Sequence, residues 1–405
     1  MNDRPSPLRP VLTITAAATL ALMGYEIVRS AASSVFLAHY SANRLPEALI
    51  LVPLAMVAFT YLISVVLRRI GPGPTYTVTL VVSGLTLSLA AIAVQRGLPG
   101  AAVFLYVFAQ AYIVFIVEET WAFINSHLVP AEGKRWNGII IAISTVGSVS
   151  GGVLTGLMSK RIGSERILHW AAILTVAAAL LGRLAFRLAG PRSSRADREP
   201  QKMADHFAWD LLRGDPTIRR LALIVAAAQS VSMLFDIAFH RSLQAAMPLQ
   251  DPRTAFLGYF WGGVNLFSLV LQLGVCPLLL ARWPLRRIHG AVPLLYGAAA
   301  LAGVFFPILP VLGLAFFLSK TVDYSVFRAA KEVLYIPLSF TARYRAKMTV
   351  DALIYRSTKG VTSTLLTLAG RLWGPLSGRL YPLLIIGLCC CWNRFTRGLP
   401  EPPPS

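Results

Sequence analysis

Residues 324–360, YSVFRAAKEVLYIPLSFTARYRAKMTVDALIYRSTKG, carry ionisable side chains inside segments that are otherwise apolar enough to cross a membrane as helices. Burying a charge in hydrocarbon costs free energy, so charged residues within membrane helices usually face the protein interior, a water-filled cavity or a substrate. This stretch therefore predicts membrane helices with a polar interior. Its charges are the first candidates for a functional role.

The composition of the whole chain is that of a protein that crosses the bilayer many times. Of its 405 residues, 56% are hydrophobic and only 14% are charged, which is typical of a polytopic membrane protein. The apolar segments are about 20 residues long and lack the alternation over about ten residues that a membrane barrel shows. We predict an all-α membrane protein with about twelve transmembrane helices. The predicted spans are 11–37, 46–67, 76–94, 101–127, 136–158, 167–186, 218–243, 255–280, 288–306, 311–335, 348–369 and 376–392.

A long polar stretch between the sixth and seventh spans divides the chain. Residues 190–217 are rich in charged residues and turn formers, which is typical of a linker. The predicted parts are a six-helix half at 1–189, a cytoplasmic linker at 190–217, a second six-helix half at 218–393 and a cytoplasmic tail at 394–405. Residues 118–152 and 324–363 repeat one pattern of helix, proline, basic turn and small-residue helix. Two parallel six-helix repeats are the layout of major-facilitator-like transporters.

The positive charges predict the orientation in the membrane. The chain has 38 Lys and Arg against 18 Asp and Glu, a formal charge of +20, and the Arg residues cluster in alternate loops. Because cytoplasmic loops are enriched in Lys and Arg, we expect both termini on the cytoplasmic side of a plasma membrane, the inner membrane of a bacterium. The cations flank apolar spans without interleaved aromatics, which argues against nucleic-acid binding. The expected surroundings are membrane lipids, and no obligate protein partner is inferred.

Span five brings small residues together at a spacing of four. Gly147 with Gly151, and Gly152 with Gly156, form two small-xxx-small pairs. Such pairs favour close packing against a neighbouring helix, because a glycine lets another backbone approach.

The polar residues show no pattern typical of a metal, cofactor or enzyme site. Cys276 lies alone in a span and Cys389, Cys390 and Cys391 are adjacent, a spacing that suits neither a zinc site nor a disulfide framework. No set of nucleophile and base occurs at a predicted membrane face. We expect no cofactor and no enzymatic activity, and a membrane-embedded transferase is the least favoured alternative.

Span ten holds the densest group of candidate residues. Lys320 and Lys331 are eleven positions apart, which places them on nearly the same helix face, and Asp323 lies one turn from Lys320. Arg328 can pair with Glu332 at the i,i+4 spacing. Lys331 has no equally good partner on its own helix, so it is expected to meet a substrate or a residue of another helix.

Spans seven and one add further charges. Asp236 and His240 lie one turn apart and form either a proton-carrying pair, since His titrates near neutral pH, or a structural ion pair. Glu26 and Arg29 lie at the i,i+3 spacing. They form either an internal pair or a site in which Arg29 offers its positive charge to an anion.

These residues resemble those of a known family. The run from Arg328 to Leu338, with Lys347, Asp351, Lys359 and Gly360, resembles the helix-ten to helix-eleven signature of the nucleotide transporters, the ATP/ADP translocases of plastids and intracellular bacteria. Shorter stretches agree in the same order along most of the chain: Glu26-Ile-Val-Arg29, Leu45-Pro46, Trp121-Ala-Phe123-Ile-Asn125, Glu132-Gly-Lys134-Arg135 and Phe256-Leu-Gly258.

The resemblance implies a twelve-helix, major-facilitator-like fold and exchange or proton-coupled import of nucleotides. It places the family's helix-ten lysine on Lys331, its helix-seven acidic residue on Asp236 and its helix-one arginine on Arg29. The lysine expected one turn after that arginine is Ala32, and the helix-four glutamate is Gln110. The first half has therefore lost one cation and one anion, which makes it less suited to a tetra-anionic nucleotide.

We therefore predict a secondary transporter that works by alternating access, with the two halves rocking around a central site, and that moves an anionic solute, for which a nucleotide is one candidate. Arg29 and Lys331 are the predicted anion-binding groups, Asp236 is a gating or coupling carboxylate, and Gln110 is a further substrate-binding position. The secondary candidates are Lys320, Asp323, Asp351, Lys359, Arg328 and Glu332. The alternative is a major-facilitator-like transporter of a different small solute, which the charges lost from the first half favour.

Overall fold

The computed structural model describes residues 8–128, 130–190, 209–336, 338, 340–374 and 376–399. These residues form helices joined by short connections, and no β-strand occurs among them. The all-α prediction is therefore confirmed. Most of the predicted linker and the end of the predicted tail lie outside the described residues, and the domain boundaries stay a prediction.

The first six helices follow the predicted spans closely. They are α1 (Leu8–His39), α2 (Leu45–Ile70), α3 (Pro72–Gln95), α4 (Ala101–His127), α5 (Pro130–Ile162) and α6 (Ile167–Ala189). Positive-φ glycines start α3 and α4, at Gly71 and Gly100. Only a residue without a side chain adopts such a backbone cheaply, so these glycines fix where one span ends and the next begins.

The rest of the described chain contains shorter helices and three π-helical turns. The helices are α7 (Trp209–Gly214), α8 (Pro216–Ala246), α9 (Gln250–Val270), α10 (Cys276–Arg282), α11 (Leu285–Phe305), α12 (Leu309–Val322), α13 (Arg328–Leu334), α14 (Phe340–Lys347), α15 (Tyr355–Trp373) and α16 (Leu380–Thr396). The π turns are Leu271–Val275, Asp323–Phe327 and Met348–Ile354. They join α9 to α10, α12 to α13 and α14 to α15.

Within the described residues, ten helical segments are long and apolar enough to cross a membrane. α16 is a shorter apolar helix, as the predicted short twelfth span requires. The eleventh predicted span corresponds to the π turn Met348–Ile354 followed by most of α15, and its sequence contains Asp351, Arg356 and Lys359. These charges explain why this segment is not among the ten.

The described helices form two compact units. The first contains α1, α2 from Leu51 onward and α3 to α6, together with Met247–Leu266, which includes α9 up to Leu266. The second contains Ser41–Ile50, α7, α8 and the chain from Phe267 onward.

In the first unit, α1 packs against α4, α5 and α6. The small-residue prediction for α5 explains how: a Cβ atom added at Gly147 would lie 2.1 Å from the Thr19 carbonyl oxygen, and one at Gly151 would lie 2.3 Å from that of Met23. The other glycine pair faces α9, since a Cβ at Gly152 would lie 2.6 Å from the Gly258 carbonyl oxygen. The helix backbones are in direct contact, which only glycine permits.

In the second unit, α8 packs against α12, α15 and α16, and α11 packs against α16. Asp215 caps the beginning of α8, because its Oδ1 accepts a hydrogen bond from the Thr217 amide at 2.7 Å, which stabilises a helix start. The indole of Trp392 is fully buried, with edge contacts to Tyr296 and Phe327. An aromatic core thus holds α11, α16 and the π turn Asp323–Phe327 together.

Candidate functional site

Lys320 lies near the end of α12 in the second unit and is almost completely buried, at 7% exposure. Its Nζ donates a hydrogen bond to Ser232 Oγ on α8 over 2.6 Å, and it lies 5.3 Å from the centroid of the Phe316 ring. A hydroxyl acceptor and an aromatic face both stabilise an ammonium group away from water. The sequence ranked this lysine only as a secondary candidate.

Two carboxylates of the second unit share two lysines. Asp236 on α8 and Asp323 at the start of a π turn both interact electrostatically with Lys320 and Lys359. Asp323 interacts in addition with Lys331 and Arg328. We call these six residues the charge cluster: Asp236, Lys320, Asp323, Arg328, Lys331 and Lys359.

The predicted neighbours Asp236 and His240 are in contact. The His240 Nδ1 atom lies 2.9 Å from Asp236 Oδ1, and the ring is buried at 3% exposure. Its Nε2 atom has no hydrogen-bond partner within the described part of the chain. The imidazole therefore fixes the orientation of the carboxylate from one side, while the lysines approach from other helices.

Lys331 finds its counterion on a different segment. Its Nζ lies 2.6 Å from Oδ1 of Asp351 in the π turn Met348–Ile354, and the Tyr335 hydroxyl donates to the same oxygen over 3.2 Å. The sequence predicted either a substrate or a residue of another helix as the partner of Lys331. The structure supplies the second, so an anion would have to compete with Asp351 for this lysine.

The predicted Arg328–Glu332 pair is wrong. Glu332 instead pairs with Lys347 on α14, and Arg328 is exposed and interacts with Asp323. The tertiary position of α14 decides this, because it offers Glu332 a cation that the local i,i+4 rule does not consider.

The prediction that Lys320 and Lys331 share one helix face also needs correction. The π turn Asp323–Phe327 lies between them, and its i→i+5 hydrogen bonding interrupts the 3.6-residue period on which that prediction depends. Lys320 contacts α8, whereas Lys331 contacts the π turn that carries Asp351.

The first unit has a smaller charged site, on α1 and the second half of α9. Arg29 Nη1 lies 3.7 Å from Glu26 Oε1, and the guanidinium carbon lies 3.2 Å from the centroid of the Trp261 ring. Asn265, one turn after Trp261, donates from Nδ2 to Glu26 Oε1 over 2.8 Å. Arg29 is therefore held between a carboxylate and an aromatic face, with 13% of its side chain exposed.

The two positions that depart from the family pattern are placed differently. Gln110 is half-buried on α4. Ala32 is 1% exposed and belongs to the apolar core of the first unit. The neutral residue at position 32 is thus part of the packing of α1.

Sequence reasoning missed Ser232, Tyr335, Trp261 and Asn265. A spacing signal existed for all four, because Ser232 precedes Asp236 by four positions, Tyr335 follows Lys331 by four, and Trp261 and Asn265 are themselves four apart. Residues at this spacing share a helix face. No local signal connects Trp261 with Arg29, since that contact depends on how α9 packs on α1.

Comparison with known proteins gives one curated relative. ADP,ATP carrier protein 1, chloroplastic, from Arabidopsis thaliana is 29% identical to the chain over 181 residues. The match covers 40% of this chain and spans 29% of the relative's own length. No family model matches the sequence. The resemblance to the nucleotide transporters that the sequence indicated is confirmed by this likeness.

Solved structures match the chain almost end to end. Those of the nucleoside transporter NupG (TM-score 0.63, 14% identity, 96% of this chain and 98% of that one) and of an auto-inhibited POT family peptide transporter (0.63, 12%, 98% and 99%) are similar. So is a bacterial homologue of the iron transporter ferroportin in its inward-facing state (0.66, 14%, 95% and 99%). At these identities the likeness shows the fold alone, and it confirms the major-facilitator-like, twelve-helix architecture.

Proposed function

We propose that the chain is a secondary transporter that moves a small anionic solute across a membrane by alternating access, and that a nucleotide is the favoured substrate class. The observation that carries this proposal is the charge cluster, in which four cations and two carboxylates lie on helices of a membrane protein. Charged residues within membrane helices mark substrate and ion pathways, because their burial has to be compensated. The name of the curated relative, an ADP,ATP carrier, supports a nucleotide.

Within the charge cluster we assign the anion to Lys320 and Lys359. Among the described residues, Lys320 donates its hydrogen bond to a neutral acceptor, the Ser232 hydroxyl. Lys359 lies 5.4 Å from the centroid of the Tyr355 ring. Lys331 is engaged by Asp351, and it joins only when that pair opens. Asp236 and Asp323 offset the positive charge of the lysines while no solute is bound, and they repel a solute with too many negative charges.

The first unit supports a solute with fewer charges than ATP. Arg29 contributes one cation there, and it already faces Glu26, whereas positions 32 and 110 are neutral. A multiply charged phosphate leaves water only when cations and hydrogen bonds replace its hydration. A nucleoside monophosphate fits these conditions better than a nucleoside triphosphate. A smaller organic anion is the competing substrate.

Uptake into proteoliposomes tests the proposal. Purified protein would be assayed with labelled ATP, ADP, AMP and small organic anions, as the wild type, Lys320→Gln and the control Lys160→Gln, which changes an exposed lysine at the end of α5. We expect saturable uptake of the less charged anions, and a loss of about tenfold or more in kcat/KM, about 1.4 kcal/mol, for Lys320→Gln alone. Equal loss in both variants, or uptake of none of these anions, contradicts the proposal. Rapid ATP/ADP exchange contradicts the preference for a less charged anion.

We also propose that the protein lies in a plasma membrane with both termini cytoplasmic, because its basic residues fall in alternate loops. Reporter fusions at Arg69, Arg135 and Arg287 should score cytoplasmic, and fusions at Asn43 and Asp251 should score external. A cytoplasmic score at Asn43 reverses the proposed orientation.

A further inference from the structure

Glu26, on α1 of the first unit, is almost completely buried, at 2% exposure. Its Oε1 atom accepts from Asn265 at 2.8 Å and faces Arg29 at 3.7 Å, a distance beyond a hydrogen bond. Its Oε2 atom is shielded from solvent and has no hydrogen-bond partner among the described residues. An ionised carboxylate with one oxygen unsatisfied in an apolar surrounding is costly, whereas a proton on that oxygen removes the charge.

The elements packed against α1 offer Glu26 little further compensation. α4 contributes the phenol of Tyr112, whose hydroxyl is buried without a hydrogen-bond partner among the described residues and which interacts electrostatically with Glu26. On α1 itself the titratable neighbours are Arg29 and Tyr25, which also interacts with Tyr112. The part of α9 that faces Glu26 contributes the neutral Asn265.

α5 and α6 place small uncharged residues against the part of α1 that directly precedes Glu26. The backbone of Met23 meets Gly151 of α5, and Gly24 meets Ala171 and Thr175 of α6. The ionisable residues described in α5 lie within its first six residues and in its last turn, and His169 of α6 is bonded to Ser88 of α3. Arg29 is therefore the cation that balances Glu26.

We propose that Glu26 binds the coupling proton of transport on its Oε2 atom. It does so when an anionic solute replaces Glu26 as the ion-pair partner of Arg29. This inference rests on the proposed transport of an anion and deepens it. Arg29 retains more exposed surface than Glu26, 13% against 3% of the side chain, so an arriving anion meets the guanidinium first. The Trp261 ring supports the guanidinium from one face.

The charges balance in this exchange. Before binding, Arg29 and Glu26 cancel each other. When one negative charge of the solute pairs with Arg29, Glu26 loses its counterion and takes one proton from solvent, so the site gains one proton for each solute molecule that it binds. Release of the solute returns Arg29 to Glu26, and the proton leaves. Solute and proton therefore travel in the same direction, and uptake is driven by an inward proton gradient.

Infrared difference spectroscopy on the purified protein tests the proton site without any solute. As pH falls, the wild type should gain the carbonyl band of a protonated carboxylic acid that Glu26→Gln lacks, whereas the control Glu47→Gln, an exposed residue near the start of α2, should keep it. Asn265→Ala removes a donor to the ionised form, so the band should persist to higher pH by about one unit. An unchanged band in Glu26→Gln overturns the proposal. If Glu26→Gln does not fold, the proposal is overturned when the band of Asn265→Ala appears at the same pH as that of the wild type.

Uptake of labelled AMP into proteoliposomes tests the coupling. A pH gradient, acidic outside, should drive accumulation in the wild type and in Glu47→Gln. Glu26→Gln should lose the accumulation, by about tenfold or more, because glutamine cannot take up and release the coupling proton. Accumulation that survives in Glu26→Gln overturns the coupling role. If the wild type moves neither AMP nor another anion, the transport proposal fails, while the infrared result still decides whether Glu26 takes up a proton.

Discussion

The two compact units are built from the same kind of apolar helix, but they place their polar groups differently. In the first, glycines bring α5 directly against the backbones of α1 and α9, and a single guanidinium faces a single carboxylate, Arg29 against Glu26. In the second, cations and carboxylates form a cluster across α8, α12 and α15. Close backbone packing leaves little room for long charged side chains, which fits the smaller charged site of the first unit.

The helices of the second unit also depart from regular geometry where the charges lie. Every π turn that the structure describes belongs to this unit, and two of the three carry Asp323 and Asp351. A π turn widens the helix locally and is frequent at functional sites. We infer that the charge cluster is built on helices that can adjust their register, whereas the glycine contacts of the first unit allow little movement.

The largest expected effect on stability comes from placing a side chain where a glycine touches the backbone of another helix. Gly151→Leu should lower the free energy of unfolding by more than about 4 kcal/mol, because even a Cβ at this position would lie 2.3 Å from the Met23 carbonyl oxygen. Thermal unfolding in detergent measures this. The matched control is Gly138→Leu on the same helix, where a Cβ meets no atom within 4 Å. Equal losses in the two variants would show that the close packing of the first unit is not what holds it together.

A lysine introduced into the same core should be the next most damaging change. Ala32→Lys restores the residue that the nucleotide transporter pattern predicts, but Ala32 is 1% exposed among apolar residues, so the change should cost about 3 kcal/mol. Ala281→Lys, at an exposed position near the end of α10, is the control, because a lysine there can extend towards water. Normal stability with stronger ATP binding in Ala32→Lys would mean that position 32 faces the solute.

Two ion pairs of the second unit differ in their exposure to solvent, and we expect their loss to have smaller effects on stability. The Lys331–Asp351 side chains are 12% and 25% exposed, and those of Lys347–Glu332 are 39% and 44% exposed. Lys331→Gln should therefore cost about 2 kcal/mol of unfolding free energy, and Lys347→Gln less than about 1 kcal/mol. Adding Asp351→Asn to Lys331→Gln should recover much of the loss, since it removes the uncompensated charge. If Lys331→Gln unfolds like the wild type and only transport is lost, Lys331 serves the solute instead.

The smallest predicted effect concerns one hydroxyl. Ser232→Ala removes the acceptor of Lys320 Nζ and should cost about 1.5 kcal/mol, seen as a lower unfolding temperature and a changed KM for the transported anion. Ser242→Ala on the same helix is the control, because that hydroxyl donates only to the Phe239 carbonyl of its own helix, at 2.9 Å. If the two variants had the same unfolding temperature and the same KM, Ser232 would not be part of the site.

The sequence by itself determined the class of protein, the positions of the helices and the glycine packing of α5. These follow from local properties: an apolar segment long enough to cross a bilayer forms a helix wherever it occurs, and glycines four apart line one face of that helix. The residues that carry charge were also identifiable, because a charge inside an apolar segment stands out in the sequence whatever it contacts.

Only the tertiary structure decided which partner each charge takes. Lys331 meets Asp351, Glu332 meets Lys347, and Arg29 stacks on Trp261, and each of these contacts joins segments that the local spacing rules treat as unrelated. The π turn between Lys320 and Lys331 also shifted the helical period on which their predicted common face depended. Pairing depends on how helices pack and on where their register changes, and both are set by contacts between residues that are far apart in the chain.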